Sequence, residues 1–226
     1  LCISMETTGL PERLTIPHEV KLSEKAAAMY QQLERTMLLP FADGDVDAAT
    51  AAILTNKLLQ LAGGAVYDEN GKAQIVHDQK LEVLDQLIEE ANGQPVLVFY
   101  NYKHELDRLQ ARYPQAIHVK EENVVKRWNA KEIPILLANP ASAGHGLNLQ
   151  FGGHIAIWYS PTWNLEFFQQ ANKRLHRRGQ AETVLIHTLM AKGTIDERIY
   201  DIVLRNKEAG QNALLEAVKA RIKEVT

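Results

Sequence analysis

A chain of 226 residues, 46% apolar and 23% charged, has ordinary globular composition and can bury a sizeable core, as one large domain or one domain with helical appendages. Its single cysteine, Cys2, excludes an internal disulfide and a cysteine-rich zinc site, and no apolar run approaches the ~20 residues a membrane helix needs. The net charge of −3 is unevenly laid: residues 1–169 carry 14 Lys and Arg against 21 Asp and Glu, and residues 170–226 carry 11 against 7, so the cations gather late and point to a local anionic partner.

Residues 1–20 read as an extended lead-in, with Pro11 and Pro17 and no helical stripe. Ser23 caps a helix that ends at Pro40. FADGDVD is a loop, and AATAAILTNKLLQLA is a second helix closed by Gly63 and Gly64. YDENGK is a turn. HDQKLEVLDQLIEEANG is a third helix, with Leu81, Leu84, Leu87 and Ile88 on one side and a stop at Gly93. From Gln94 short apolar runs alternate with helices. VLVFY (96–100), AIHV (116–119), ILLA (135–138), HIAIWY (154–159) and TVLIHTL (183–189) read as strands. KHELDRLQARY, EENVVKRWNAK, NLEFFQQANKRLHR, TIDERIYDIVLRNKEA and QNALLEAVKARIKEV read as helices. This alternation predicts an α/β fold, a parallel sheet flanked by helices, with helical additions at both ends. The expected units are a lead-in and helical extension over 1–75, the α/β lobe over 76–209 and a C-terminal helix over 210–226.

In such a sheet ligands sit at the carboxyl ends of the strands. NYK after VLVFY, NPASAGHGLNL after ILLA, and the loop before QQANKRLHRRGQ fall there. On a helix Gln170, Arg174 and Arg177 lie within about 60° of one another, beside an apolar arc of Phe167, Phe168, Ala171 and Leu175. Two guanidinium groups one turn apart suit a polyphosphate; a solvated basic helix is the plain structural alternative. Gly144 and Gly146 allow a ligand to approach the backbone. No GxxxxGK[ST] phosphate loop and no acidic magnesium box occur, and the histidines are not at metal-ligand spacing, so no metal site is expected. Trp128 and Trp158 are assigned to the core.

These residues resemble the C-terminal RecA-like lobe of superfamily 2 helicases of the Swi/Snf type. VLVFYNYKHELDRL resembles motif IV, ILLANPASAGHGLNL motif V, and QQANKRLHRRGQ motif VI, matched at Gln170, Ala171, Arg174, His176, Arg177, Gly179 and Gln180. YSPTWN resembles the segment between V and VI, with Ser160 in place of an acidic residue and Thr162 in place of a tryptophan. In motif V, His145 replaces a glycine. The compact build is closer to stand-alone bacterial or phage members, which implies a cytoplasmic setting. The resemblance implies that Arg174 and Arg177 are arginine fingers reaching ATP, with Mg, held by an N-terminal RecA-like lobe of the same protein. Gly144, Gly146, Asn148, Gln170 and Gln180 then belong to the ATP side. Lys80, Asn101, Tyr102, Lys103, Ser142 and Trp163 belong to the contact with double-stranded DNA. A chain beginning at Leu1 suggests a fragment. The implied function is the second half of an ATP-dependent double-stranded DNA translocase, inactive by itself. A non-catalytic DNA-binding or scaffolding module, and the lobe of a strand-separating superfamily 2 helicase, are the alternatives.

Overall fold

The structure, a computed structural model, describes residues 10–38, 40, 48–143 and 146–201. Among these, six parallel strands form one sheet: β1 (Arg13–Val20), β4 (Val96–Phe99), β5 (Ile117–His118), β6 (Ile135–Ala138), β7 (Ile155–Trp158) and β8 (Val184–Ala191), in the order β1-β8-β7-β4-β6-β5. The helices are α1 (Glu24–Leu38), α2 (Ala48–Ala62), α3 (Gln79–Glu90), α4 (Lys103–Arg112), α5 (Val124–Asn129), α6 (Pro140–Ala143), α7 (Leu165–Asn172) and α8 (Ile195–Ile199). A two-stranded hairpin of β2 (Ala65–Tyr67) and β3 (Ala73–Ile75) leads into α3. None of the described helices is long and apolar enough to cross a membrane.

The continuous apolar runs form strands because both faces of the sheet are covered. Along β4, Val96 and Val98 pack with Leu84, Leu87 and Leu109 of α3 and α4. Leu97 and Phe99 point the other way, to Trp128, Trp158 and Phe168. Both of those tryptophans are fully buried, as expected, with indole N–H groups on the Leu149 carbonyl (2.8 Å) and on Asn172 Oδ1 (3.0 Å). Gly152 is required by this packing, since a Cβ there would lie 2.3 Å from the Trp128 carbonyl oxygen. A third cluster joins α1 and α2 to Ala191, Ile195 and Ile199. Ser23 Oγ accepts from the Ala26 N–H, the cap read from the sequence.

Three differences from the sequence reading have physical causes. The lead-in is not merely extended: Arg13–Val20 pairs along its whole length with β8 and becomes the sheet's edge. Pro17 fits there because an edge strand presents hydrogen-bonding groups to one neighbour only. Secondly, α7 stops at Asn172. Arg174, Leu175 and Arg177 donate their N–H groups to carbonyls three and two residues back, and the Arg174 carbonyl accepts from the Leu149 N–H (3.3 Å), so the regular ladder breaks up although the His176 N–H still reaches the Asn172 carbonyl. Thirdly, α5 is shorter than EENVVKRWNAK because Asn123 and Lys131 have left-handed backbones, φ 56° and 60°. The helices expected beyond α8, and the C-terminal unit 210–226, lie outside the described residues.

Candidate nucleotide and nucleic-acid interface

Strand β4 lies between β6 and β7, so the chain reverses direction across it, and the carboxyl ends of these three strands open a crevice. Each strand is followed by a loop carrying an asparagine, and two of these amides join the loops. Asn139 Nδ2 donates to the carbonyls of Tyr100 (3.3 Å) and Asn101 (3.2 Å). Asn101 Nδ2 donates to the carbonyls of Ser160 and Pro161, both at 3.1 Å. Asn164 caps α7, accepting from the Phe167 N–H (3.0 Å). These loops, with Asn56 and Leu59 of α2, surround a cavity of about 220 Å³ whose rim carries Tyr102, Trp163 and Phe167.

The candidates for DNA contact divide here. Lys103 is exposed, Trp163 and Phe167 show 37% of their surface, and Ser142 is half-buried on α6. Tyr102 is half-buried and its hydroxyl donates to Asn56 Oδ1 (3.2 Å). Burial first, then the charges of Glu105 and Asp196, hold its pKa well above the ordinary value, so it remains a neutral donor. Asn101 uses its amide to bind loop to loop. Lys80 is a correction. Its ammonium is fully buried, 2.6 Å from Asp196 Oδ2 and 3.3 Å from Ser160 Oγ, so it offers no charge to DNA.

The arginines occupy a different rim. Helix α7 starts at the carboxyl edge and runs back, so Arg174 and Arg177 lie beyond its far end, away from the edge where the loop before it falls. They are nevertheless neighbours. Burial, and then the charge of Arg177, lower the Arg174 pKa, and a guanidinium at this level stays protonated. Arg177 Nη1 donates to Asn148 Oδ1, which ties the segment to the end of the β6–β7 connection. Gln170 pairs with Glu166 along α7 (2.8 Å). Gly146 has φ +66° with open space around it, and Gly144 lies outside the described residues. Gln180 is a second correction: it is buried, its oxygen accepts from the N–H groups of Ala181 and Glu182 (both 3.0 Å), and its nitrogen donates to the Gly153 carbonyl (3.0 Å). It braces the turn after motif VI and presents no amide to a nucleotide. Among the described residues no cluster of His, Cys, Asp and Glu could hold a metal ion.

Sequence reasoning missed Glu105, Asp196, Asn139 and Asn164. Asn139 and Asn164 were findable as asparagines between a strand and a helix, and Glu105 as an acid at the third helical position. Asp196 had no local signal.

Residues 79–179 match the family described as the helicase conserved C-terminal domain. The chain is 40% identical over 210 residues to putative protein p41 of Acyrthosiphon pisum secondary endosymbiont phage 1, across 89% of this chain and 45% of that protein. Its fold superposes on the C-terminal part of the Fun30 ATPase domain with a TM-score of 0.72 at 17% identity, covering 95% of this chain and 98% of that one. It superposes on the Sulfolobus solfataricus SWI2/SNF2 ATPase core in complex with dsDNA with a TM-score of 0.65 at 19% identity, covering 92% and 48%. The chain spans less than half the length of the curated relatives it matches. Residues 79–179, which hold β4 to β7 and the segments between them, thus carry the match to a helicase C-terminal domain. More narrowly, its fold is that of the C-terminal RecA-like lobe in these SNF2-type ATPase structures.

Proposed function

We propose that this chain is the second lobe of an ATP-dependent translocase on double-stranded DNA, completing a nucleotide site whose phosphate loop and magnesium carboxylate belong to an N-terminal lobe. The observation that carries this reading is where the two described ends of the β6–β7 connection lie. At one end Asn139 holds the loop after β4, which Asn101 ties to the loop after β7; at the other Asn148 holds Arg177 and Leu149 binds the Arg174 carbonyl. One connection therefore touches both the surface suited to DNA and the surface suited to a triphosphate.

The bound magnesium nucleotide supplies the transferable phosphoryl group. Arg174 and Arg177 offset the negative charge that spreads over its oxygens as the bond to the leaving group breaks. Asn148 orients Arg177, and Gln170 at the end of α7 lines the approach. On the other rim Lys103 and Ser142 meet backbone phosphates, and Trp163 lies against the duplex. Such contacts grip DNA without reading sequence and weaken steeply with salt. Closure of the lobes on ATP and opening after hydrolysis alternate the grip and move the backbone. The test is ATP hydrolysis by the full-length protein containing this chain, with and without duplex DNA. Arg174→Ala and Arg177→Ala should each lower DNA-stimulated kcat by roughly a thousandfold or more. Wild-type turnover in either variant overturns the finger assignment.

A further inference from the structure

We propose that Glu105 is the positioning residue of the DNA-facing edge, holding the motif IV loop and the Ser160–Trp163 loop as one unit; the proposal rests on the DNA-dependent reading above. Glu105 is completely buried on α4. Its Oε2 accepts from the backbone N–H groups of Asn101 (2.7 Å) and Tyr102 (3.2 Å), the first two residues of the motif IV loop. Its Oε1 accepts from Ser160 Oγ (2.6 Å), the first residue of the loop that ends in Trp163. Asn101 then returns across the gap to the carbonyls of Ser160 and Pro161. A single carboxylate thus fixes the amide side of one loop and the hydroxyl of the other.

Three donors, two backbone N–H groups and the Ser160 hydroxyl, face that carboxylate. Burial pushes its pKa up, and the Ser160 and Asn101 bonds and the charge of Lys80 offset that rise only in part. Lys80 also reaches Ser160 Oγ, and its ion pair with Asp196 anchors the group to α8, where Asp196 Oδ2 accepts from the Ala191 N–H (2.9 Å). Helix α2 closes the site from outside: a Cβ on Gly63 would lie 2.5 Å from Glu105 Oε1. The serine is the residue noted in the sequence as standing in place of an acidic one. With 2.6 Å between the two side chains, a negative charge can be supplied to this point from either position.

That equivalence gives the test. In the full-length protein, ATPase rate is titrated with duplex DNA. Glu105→Gln turns one of its two acceptor oxygens into an NH2 donor, so the two loops can no longer both be held, and it removes a negative charge near Lys80. It should raise the DNA concentration at half-maximal rate roughly fivefold or more, with kcat at saturating DNA within about twofold. Ser160→Asp alone sets two carboxylates together and should do the same or worse. The double variant Glu105→Gln/Ser160→Asp returns one charge to the site and should restore half-saturation to within about twofold of wild type. Wild-type half-saturation in Glu105→Gln overturns the proposal, and so does failure of the double variant to recover, which would mark Glu105 as a packing residue. If Glu105→Gln does not fold, Ser160→Ala carries the same expectation, and unchanged half-saturation in it overturns the proposal. A wild-type protein whose ATPase ignores DNA defeats the functional reading itself, and this inference with it.

Discussion

Replacing Lys80 separates a buried ion pair from a DNA contact. The ammonium and the Asp196 carboxylate are both without exposed surface and 2.6 Å apart. Lys80→Met keeps the length and apolar volume of the side chain while removing its charge. Asp196 Oδ2 is then left with the Ala191 N–H, and Asp196 Oδ1 has no hydrogen-bond partner even in the wild type. Breaking a buried pair from one side costs ~3–5 kcal/mol, because the remaining ion cannot be hydrated. That is a large part of the ~5–15 kcal/mol that holds a domain folded. At ~2–4 °C per kcal/mol for a chain of this size, the melting temperature should fall by ~6–20 °C. Lys80→Met/Asp196→Leu removes both charges and should recover most of the loss. Thermal melts and urea titrations of the three proteins measure this. Duplex binding at several salt concentrations supplies the second arm: a lysine on a phosphate contributes ~0.9 to the slope of log K against log salt, and this slope should be unchanged. A stability loss under ~1 kcal/mol, with the slope reduced by about one, would refute the buried assignment and return Lys80 to the DNA surface.

Further outcomes are expected. Gly152→Ala forces a Cβ to within 2.4 Å of the Trp128 indole and should destabilise the protein by ~1–3 kcal/mol or more, seen as a lower urea midpoint. His77 and His104 are buried with pKa values lowered to about 4, chiefly by burial. The unfolded chain therefore binds protons that the folded one does not below about pH 6.5. Stability from these residues is whole above that pH and is lost as pH falls toward 4, so melting temperatures recorded from pH 7.5 to 4 should decline over that window. His104→Phe, which keeps the ring against Tyr102, should make the decline shallower. Trp163→Ala should weaken duplex binding about fivefold or more while leaving the melting temperature within a degree or two, because the ring already stands 37% exposed.

The lobe was readable because its central strands β4, β6 and β7 are uninterrupted apolar runs between helices with one apolar side, a pattern set by covering a sheet on both faces. QQANKRLHRRGQ stood out for a similar local reason: four cations crowd around a histidine in an acidic chain, at the spacing of the family pattern. The edge strand was not readable, since Pro17 looks like a breaker until β8 is seen to need pairing on one side only.

Side-chain assignments diverged where a partner lies far along the chain. Lys80 meets Asp196, more than a hundred residues away, and its spacing alone could not distinguish a DNA contact from an ion pair. Gln180 matched motif VI but is closed off by Gly153 and by its own two successors. Arg174 and Arg177 are adjacent as expected, yet through a tight turn and a carbonyl given up to Leu149, not through a helix. Residue order thus dictated the strands, the helices and the stock of charged groups, because hydrophobic periodicity and capping act over a few residues. Which of those groups face solvent and which neutralise one another inside was settled by packing, because burial depends on contacts that only the assembled sheet brings together.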